Sequence, residues 1–269
     1  MKILLTVFLQ LLATFASPAT QAGEPAEAAP QRLRVLSYNI HHGEGMDGKL
    51  DLERIARVIK DADADLVALQ EVDKGVKRTD GIDEPAVLAE LTGMHAVFEK
   101  NIDFQGGEYG NAVLSRLPVE QYKNHPLPRS NPTEQRGVLE VHISVAGRPI
   151  VFYATHFDYH GDDGERLASA GLLRGLLEDA DTQTAIVAGD LNALPDSPTM
   201  KLIREFLTDT HNPQAGEGHT YPADQPDRRI DYILHTPAAG LKSLECRVTD
   251  EPAASDHRPL LTVFQLLDE

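Results

Sequence analysis

Short apolar segments that end abruptly in acids, amides and histidines constrain this chain most. The stretch "AIVAGDLNALPDSP", Ala185 to Pro198, opens with Ala185 to Ala188, which read as a buried strand. The chain then turns at Gly189 and presents Asp190 and Asn192, and Pro195 and Pro198 forbid further strand. The same ending recurs at "SYN" (Asn39), "ALQE" (Glu71) and "YATHFD" (His156). "RIDYIL" (Asp231) and "SDHRP" (Asp256, His257) place polar groups beside further strands. One polar terminus is an ordinary turn former. Repeated oxygen-rich ends, brought to one side of a sheet, describe a site for a hard cation and a phosphate.

The elements between these termini mix helices with many strands. Strands are expected at Arg32–Asn39, Asp65–Glu71, His95–Lys100, Asn111–Ser115, Gly137–Val145, Pro149–Thr155, Arg229–His235 and His257–Leu266. Leu52, Ile55, Val58, Ile59 and Ala62 form an apolar stripe at helical spacing within a helix expected over Leu50–Ala64. Further helices are expected over Glu84–Thr92, closed by Gly93, over Gly164–Ala180, and from Ser197 to Phe206 with Ser197 as N-cap. Several strands are consecutive, so a strictly alternating βαβ fold does not fit and a layered α/β sandwich does. No repeat and no Pro/Gly/Ser linker interrupts residues 32–269, which read as one domain.

The residue types suit hydrolysis of a phosphate ester, which needs a water nucleophile, a proton acceptor and stabilisation of charge on the phosphoryl oxygens. Glu71 is a natural Mg²⁺ ligand with Asn39 beside it, and Asp256 could add a second carboxylate. Asp190 could take a proton from water, and Asn192, two residues on, could project to the same side. Asp231 could orient His257, while His156 could donate to the phosphate or assist the leaving group.

Together, "SYN…QE…TH…GDLN…RIDYI…SDH" resembles the endonuclease/exonuclease/phosphatase superfamily, in family order from Arg32 to the C-terminus. The resemblance implies a four-layer α/β sandwich, two mixed β-sheets face to face with helices outside, and one active site that depends on Mg²⁺ or Mn²⁺. It assigns metal binding to Glu71 and Asn39, phosphate contact to His156, alignment of nucleophile and phosphate to Asp190 and Asn192, and a paired carboxylate and imidazole to Asp231 and His257, with Asp256 closing the set. It also points to Tyr109 and Asn111 in "GGEYGNAVLSR" as substrate contacts. Arg136 could neutralise phosphate by a bidentate contact. His41 and His42, just after Asn39, invite a transition-metal reading beside the simpler one of a polar loop lining the cleft. Arg78 and Arg116 are weaker candidates, and most remaining histidines read as surface residues.

Charge narrows the substrates. Lys and Arg number 25 against 42 Asp and Glu, a net charge of −17. Such a field repels long polyanions, although a bound cation can reverse it locally. The loops Asp80–Pro85 and Gly161–Glu165 are acidic and are expected to border the cleft. A small or lipid-linked phosphate ester is therefore the expected partner; a nuclease is the alternative, and a third reading is a binding module that keeps the fold without catalysis. Nucleic acid is disfavoured but not excluded.

The first residues read as a secretory signal peptide: Lys2, an apolar run to Ala16, then small residues up to Ala22. Residues 1–22 are expected to be removed, residues 23–31 to form a linker, and the mature chain to carry no membrane span. A secreted or periplasmic monomer is expected. Cys246 is the single cysteine, so no internal disulfide framework exists.

Overall fold

The computed structural model describes residues 31–130, 134–179, 184–237 and 240–267. The expected signal peptide and almost all of the linker lie outside the described residues. Twelve strands form two six-stranded sheets. The first contains β1 (Arg32–Asn39), β2 (Leu66–Lys74), β3 (His95–Phe104), β4 (Gly107–Ser115), β11 (Leu241–Val248) and β12 (Leu260–Leu266), in the order β11-β12-β1-β2-β4-β3. The second contains β5 (Val119–Pro126), β6 (Gly137–Val145), β7 (Arg148–His156), β8 (Ala185–Asp190), β9 (Thr208–Asp209) and β10 (Asp231–His235), in the order β5-β6-β7-β8-β10-β9.

The two orders are the same order, with every strand of one sheet matched by the strand six places along the chain. Each sheet has one parallel pair, β1–β2 or β7–β8. A parallel pair needs a crossover, and the chain supplies helix α1 (Leu52–Asp61) for one and α3 (Gly164–Asp179) for the other. No sequence repeat signals this symmetry, because only the apolar pattern has to be shared.

That pattern sets three apolar layers. Residues of alternate parity on each strand face opposite sides of its sheet. Leu33 and Val35, Ala68, Val113, Leu139, Val141, Phe152, Ala154, Ile186, Ala188 and Ile233 fill the space between the sheets. The opposite rows pack outward, Leu36, Tyr38 and Val67 under α1 and α2 (Glu84–Thr92), and Tyr153, Val187 and Tyr232 beside α3 and α4 (Pro198–Ile203). The result is the expected four-layer sandwich of helices, sheet, sheet and helices.

Helix starts follow local chemistry. Asp51, Asp83 and Ser197 each accept a backbone N–H three residues on, at the starts of α1, α2 and α4. Gly93 closes α2 with a φ of 71°, a conformation glycine takes at little cost. The first helix is shorter than its apolar stripe suggested, and α4 stops at Ile203 rather than Phe206. Strands β5, β9 and β11 were not expected. Both β5 and β11 lie at sheet edges, where half of each strand meets water and the apolar signal is diluted. His257 lies in the loop before β12 rather than inside a strand.

Candidate active site

The row of side chains between the sheets changes character at its last step. Asn39 follows Leu33 and Val35 in parity on β1, His156 follows Phe152 and Ala154 on β7, and Asp190 follows Ile186 and Ala188 on β8. Gln70, Asn111 and Asp231 occupy the same level on β2, β4 and β10. Register fixes this layer: Asn39 lies opposite Gln70, His156 opposite Asp190, and Asp190 opposite Asp231. The strand ends are polar because they cap the apolar interior with one continuous polar layer, beneath a cleft of about 440 Å³.

Asp190 is the hub. Its Oδ1 accepts the Asn192 backbone N–H at 2.9 Å. Its Oδ2 lies 3.3 Å from Asn39 Nδ2, 3.4 Å from His156 Nε2 and 3.7 Å from His257 Nε2. Burial pushes its carboxyl up to about 7, with Asp231 adding to the rise and His257 opposing it. His257 is held through Nδ1 by Asp231 Oδ2 at 2.9 Å. Burial works against a charged imidazole, but the Asp231 and Asp190 carboxylates override it and raise His257 well above its ordinary range. The expected carboxylate–imidazole pair is therefore present, with its cation facing the cleft.

His156 has the opposite character. Burial, then the charges of Arg136 and His257, hold it neutral. Arg136 Nη1 lies 2.9 Å from His156 Nδ1 and can only donate, so Nδ1 accepts and the ring proton sits on Nε2. That proton points at Asp190. Asn192 Nδ2 lies 3.1 Å from the same Nε2 and gives its hydrogen to the Phe157 carbonyl at 3.2 Å. The two neighbouring imidazoles thus differ in charge because burial, reinforced by Arg136, prevails at His156, whereas the Asp231 and Asp190 carboxylates outweigh it at His257.

Backbone strain concentrates here. Glu71 and Asn192 sit at φ values of 60° and 47°, and His41 and His42 at 46° and 45°. Such conformations persist only where the surroundings hold them. At Glu71 the strand pairing slips between Leu69 and Val72, and this bulge turns a side chain of outward parity into the cleft.

Glu71, Asp190 and Asp256 all line the cleft, and each carries oxygen donors. Burial raises the Asp256 carboxyl, which the His257 and His41 charges oppose and Glu71 reinforces. Asp231 Oδ1 is buried without a bonding partner among the described residues. Crowded carboxylates fit a hard divalent cation, and Asp190, Asp231 and His257 bring ligand atoms within 4.8 Å of one another. Asn39 stands directly beside Glu71. Its nitrogen faces Glu71 Oε1 at 3.1 Å and its oxygen accepts the His41 N–H, so it braces Glu71. His41, His42 and Glu71 also bring ligand atoms within 4.8 Å of one another.

Tyr109 and Arg136 line the cleft, with the Tyr109 hydroxyl bonded to Arg136. Asn111 does not: its amide donates to the Gly137 carbonyl at 3.0 Å and ties the two sheets together behind the cleft wall. Arg116 pairs with Asp63 at 2.7 Å and is absent from the cleft. Of the acidic loops, 80–85 gives Asp83 and Glu84 to the start of α2, whereas Asp163 lines a neighbouring chamber. His235, expected at the surface, is buried on β10 with its ring edge against Phe264.

Sequence reading passed over several cleft residues: Phe104, Tyr159, Tyr221, Arg228 and Ile230. They come from loops or strand ends with no motif around them. Arginine–aromatic stacking unites some of them, with Arg228 over Tyr221 at 4.8 Å and Arg78 over Phe104 at 4.9 Å.

A two-sheet α/β sandwich with one polar cleft across the strand ends defines the class of protein. The model of the Endonuclease/Exonuclease/phosphatase family matches residues 36–257, and the chain belongs to that family. It is 27% identical to the uncharacterized protein YbhP of Escherichia coli strain K12, over 90% of this chain and all of YbhP. An endonuclease/exonuclease/phosphatase from Beutenbergia cavernae superposes with a TM-score of 0.68 at 27% identity, over 88% of this chain and 72% of that one. A mannosyl-6-phosphatase from Bacteroides thetaiotaomicron shares the fold, with a TM-score of 0.71 at 18% identity, over 86% of this chain and 99% of that one. Among the described residues no helix is long and apolar enough to cross a membrane.

Proposed function

We propose that the protein is a secreted, divalent-metal-dependent phosphoesterase that hydrolyses a small or lipid-linked phosphate ester by attack of water. The observation that carries this reading is the convergence of Asn39, His156 and His257 on one oxygen of Asp190, beneath a cleft that Glu71 and Asp256 also line. Family membership supports phosphoester chemistry, and the mannosyl-6-phosphatase likeness is in keeping with a small substrate.

Mg²⁺ or Mn²⁺, when bound, supplies positive charge to the phosphoryl oxygens and makes water more acidic. Glu71 and Asp256 would hold the ion. Asp190, fixed by the Asn192 N–H, accepts the proton of the attacking water. Asn192 orients water and phosphate, and the Nε2–H of His156, kept on that nitrogen by Arg136, holds the Asp190 carboxylate in place. The His257 cation, anchored by Asp231, offsets charge on the phosphoryl group as the new P–O bond forms and the ester P–O bond breaks, the leaving oxygen taking its proton from solvent water. A panel of phosphate monoesters and diesters, assayed with Mg²⁺, Mn²⁺ and Ca²⁺, tests the reading: metal-stimulated release from at least one small ester is expected, and nicking of plasmid DNA at catalytic enzyme levels as the sole activity would overturn the substrate class. Export is proposed from the N-terminal sequence alone, and N-terminal sequencing of the secreted protein should begin near Gly23.

A further inference from the structure

One arginine in the cleft is braced more heavily than charge balance requires. Asp73, fully buried on β2, grips Arg78 through two bonds, Nε to Oδ2 at 2.7 Å and Nη2 to Oδ1 at 2.9 Å. The Thr79 hydroxyl supports the same carboxylate, and Glu84 accepts the Asp73 backbone N–H at 2.8 Å. The guanidinium plane then lies 4.9 Å from the Phe104 ring and 5.4 Å from the Tyr109 ring. A fork–fork pair packed against two aromatic rings fixes both position and orientation. It also spends Nε and Nη2 only; among the described residues no acceptor bonds Nη1, and Arg78 lines the cleft.

Tyr109 relates this arginine to the reaction centre. Its hydroxyl bonds Arg136, which touches His156, while its ring lies against Arg78. One tyrosine side chain is thus in contact with both guanidinium groups. Three arginines, Arg78, Arg136 and Arg228, line the cleft beside four acids, Glu71, Glu134, Asp190 and Asp256, and Glu134 pairs with Arg136 at 2.8 Å.

We propose that Arg78 is a specificity residue that binds a second anionic group on the alcohol portion of the substrate, a phosphate or carboxylate separate from the phosphoryl group being hydrolysed. This rests on the phosphoesterase reading and narrows its substrate class to compact esters with two anionic groups. Arg136 serves the reacting group, and Arg78 with Phe104 reads the distant one. A lysine at 78 would keep a charge for Asp73 but lose the fixed fork, so recognition should suffer more than folding.

The test pairs a hexose monophosphate with the bisphosphate of the same hexose. Binding of each is measured by calorimetry, and KM and kcat are measured where turnover occurs, for the wild type, Arg78→Lys and Arg78→Gln. Melting temperatures confirm that each variant is folded, and Arg78→Lys serves where Arg78→Gln does not fold. The wild type should bind the bisphosphate about 10- to 100-fold more tightly, the effect of one charge-assisted contact. In a folded variant that preference should shrink to about twofold, through Kd and KM rather than kcat. Equal binding of the two sugars by the wild type, a preference that survives in the variants, or no binding of either sugar would overturn the proposal. Arg78-dependent preference in binding without turnover of any ester would uphold the subsite while removing the phosphoesterase reading. Turnover without the preference would do the reverse.

Discussion

Asp231 and His257 are the residue pair on which the chemistry is most exposed to test. Their 2.9 Å bond is buried, and the other imidazole nitrogen lies 3.7 Å from Asp190 Oδ2 in the cleft lining. Asp231→Asn keeps the shape but removes the charge that holds the ring protonated. Turnover should fall about 10²–10⁴-fold in Asp231→Asn and in His257→Ala. The double variant should be scarcely slower than His257→Ala, because the two act as one unit. Near-wild-type rates in the single variants would reduce the pair to a structural cap. Glu71→Gln should weaken divalent-ion binding, read by calorimetry, while leaving the melting temperature close to wild type. These residues were legible in the sequence because each carries a charge or an imidazole beside an apolar strand. Asn111 misled for the same reason: an amide at a strand start looks the same whether it faces substrate or, as here, the Gly137 carbonyl. The brace on Arg78 was not legible, since Asp73, Thr79 and Glu84 become its neighbours only when β2 meets α2.

At the scale of elements, two strand and helix features carry predictions. A Cβ at Gly189 would lie 2.0 Å from the Thr155 carbonyl oxygen, inside the parallel β7–β8 pair that aligns His156 with Asp190. Gly189→Ala must push these strands apart, and should cost about 3 kcal/mol in denaturant unfolding as well as activity. The second feature is Glu84 in the first turn of α2, whose buried carboxyl is raised to about 8 mainly by burial, despite its bond from the Asp73 N–H. The folded chain keeps a proton there that the unfolded chain releases above its ordinary value of 4.5. This contribution to stability is therefore full below that value and is lost as pH rises toward about 8. Glu84→Gln should flatten that slope and be the more stable protein at pH 8, by a few kcal/mol on the order of the linkage relation, in denaturant titrations at pH 5 and 8. An unchanged slope would mean that Glu84 ionises freely. Central strands and capped helices were legible because burial on both faces and N-cap chemistry leave strong local signals. The edge strands β5 and β11 were not, because their exposed residues break the apolar pattern.

For the whole molecule, two copies of one strand order meet face to face, and the site lies where both polar ends converge. Neither half has a complete site: Asn39 and Glu71 come from the first sheet, His156, Asp190 and Asp231 from the second, and His257 from the loop that leads back to the first. The sandwich was legible through the mixture of strands and helices and the family resemblance, whereas the six-strand symmetry needed the observed pairing. Net charge acts at this scale too. A chain at −17 should turn over small esters far faster than duplex DNA, whose tight binding calls for a basic footprint. The central claim is that the carboxylates of the cleft do their chemistry together with a divalent ion. The most direct test is phosphate release from a responsive ester by the same enzyme sample in Mg²⁺, in saturating EDTA, and after Mg²⁺ is restored in excess. Release should fall to background in EDTA and return with the metal; equal rates in EDTA and Mg²⁺ would contradict the account.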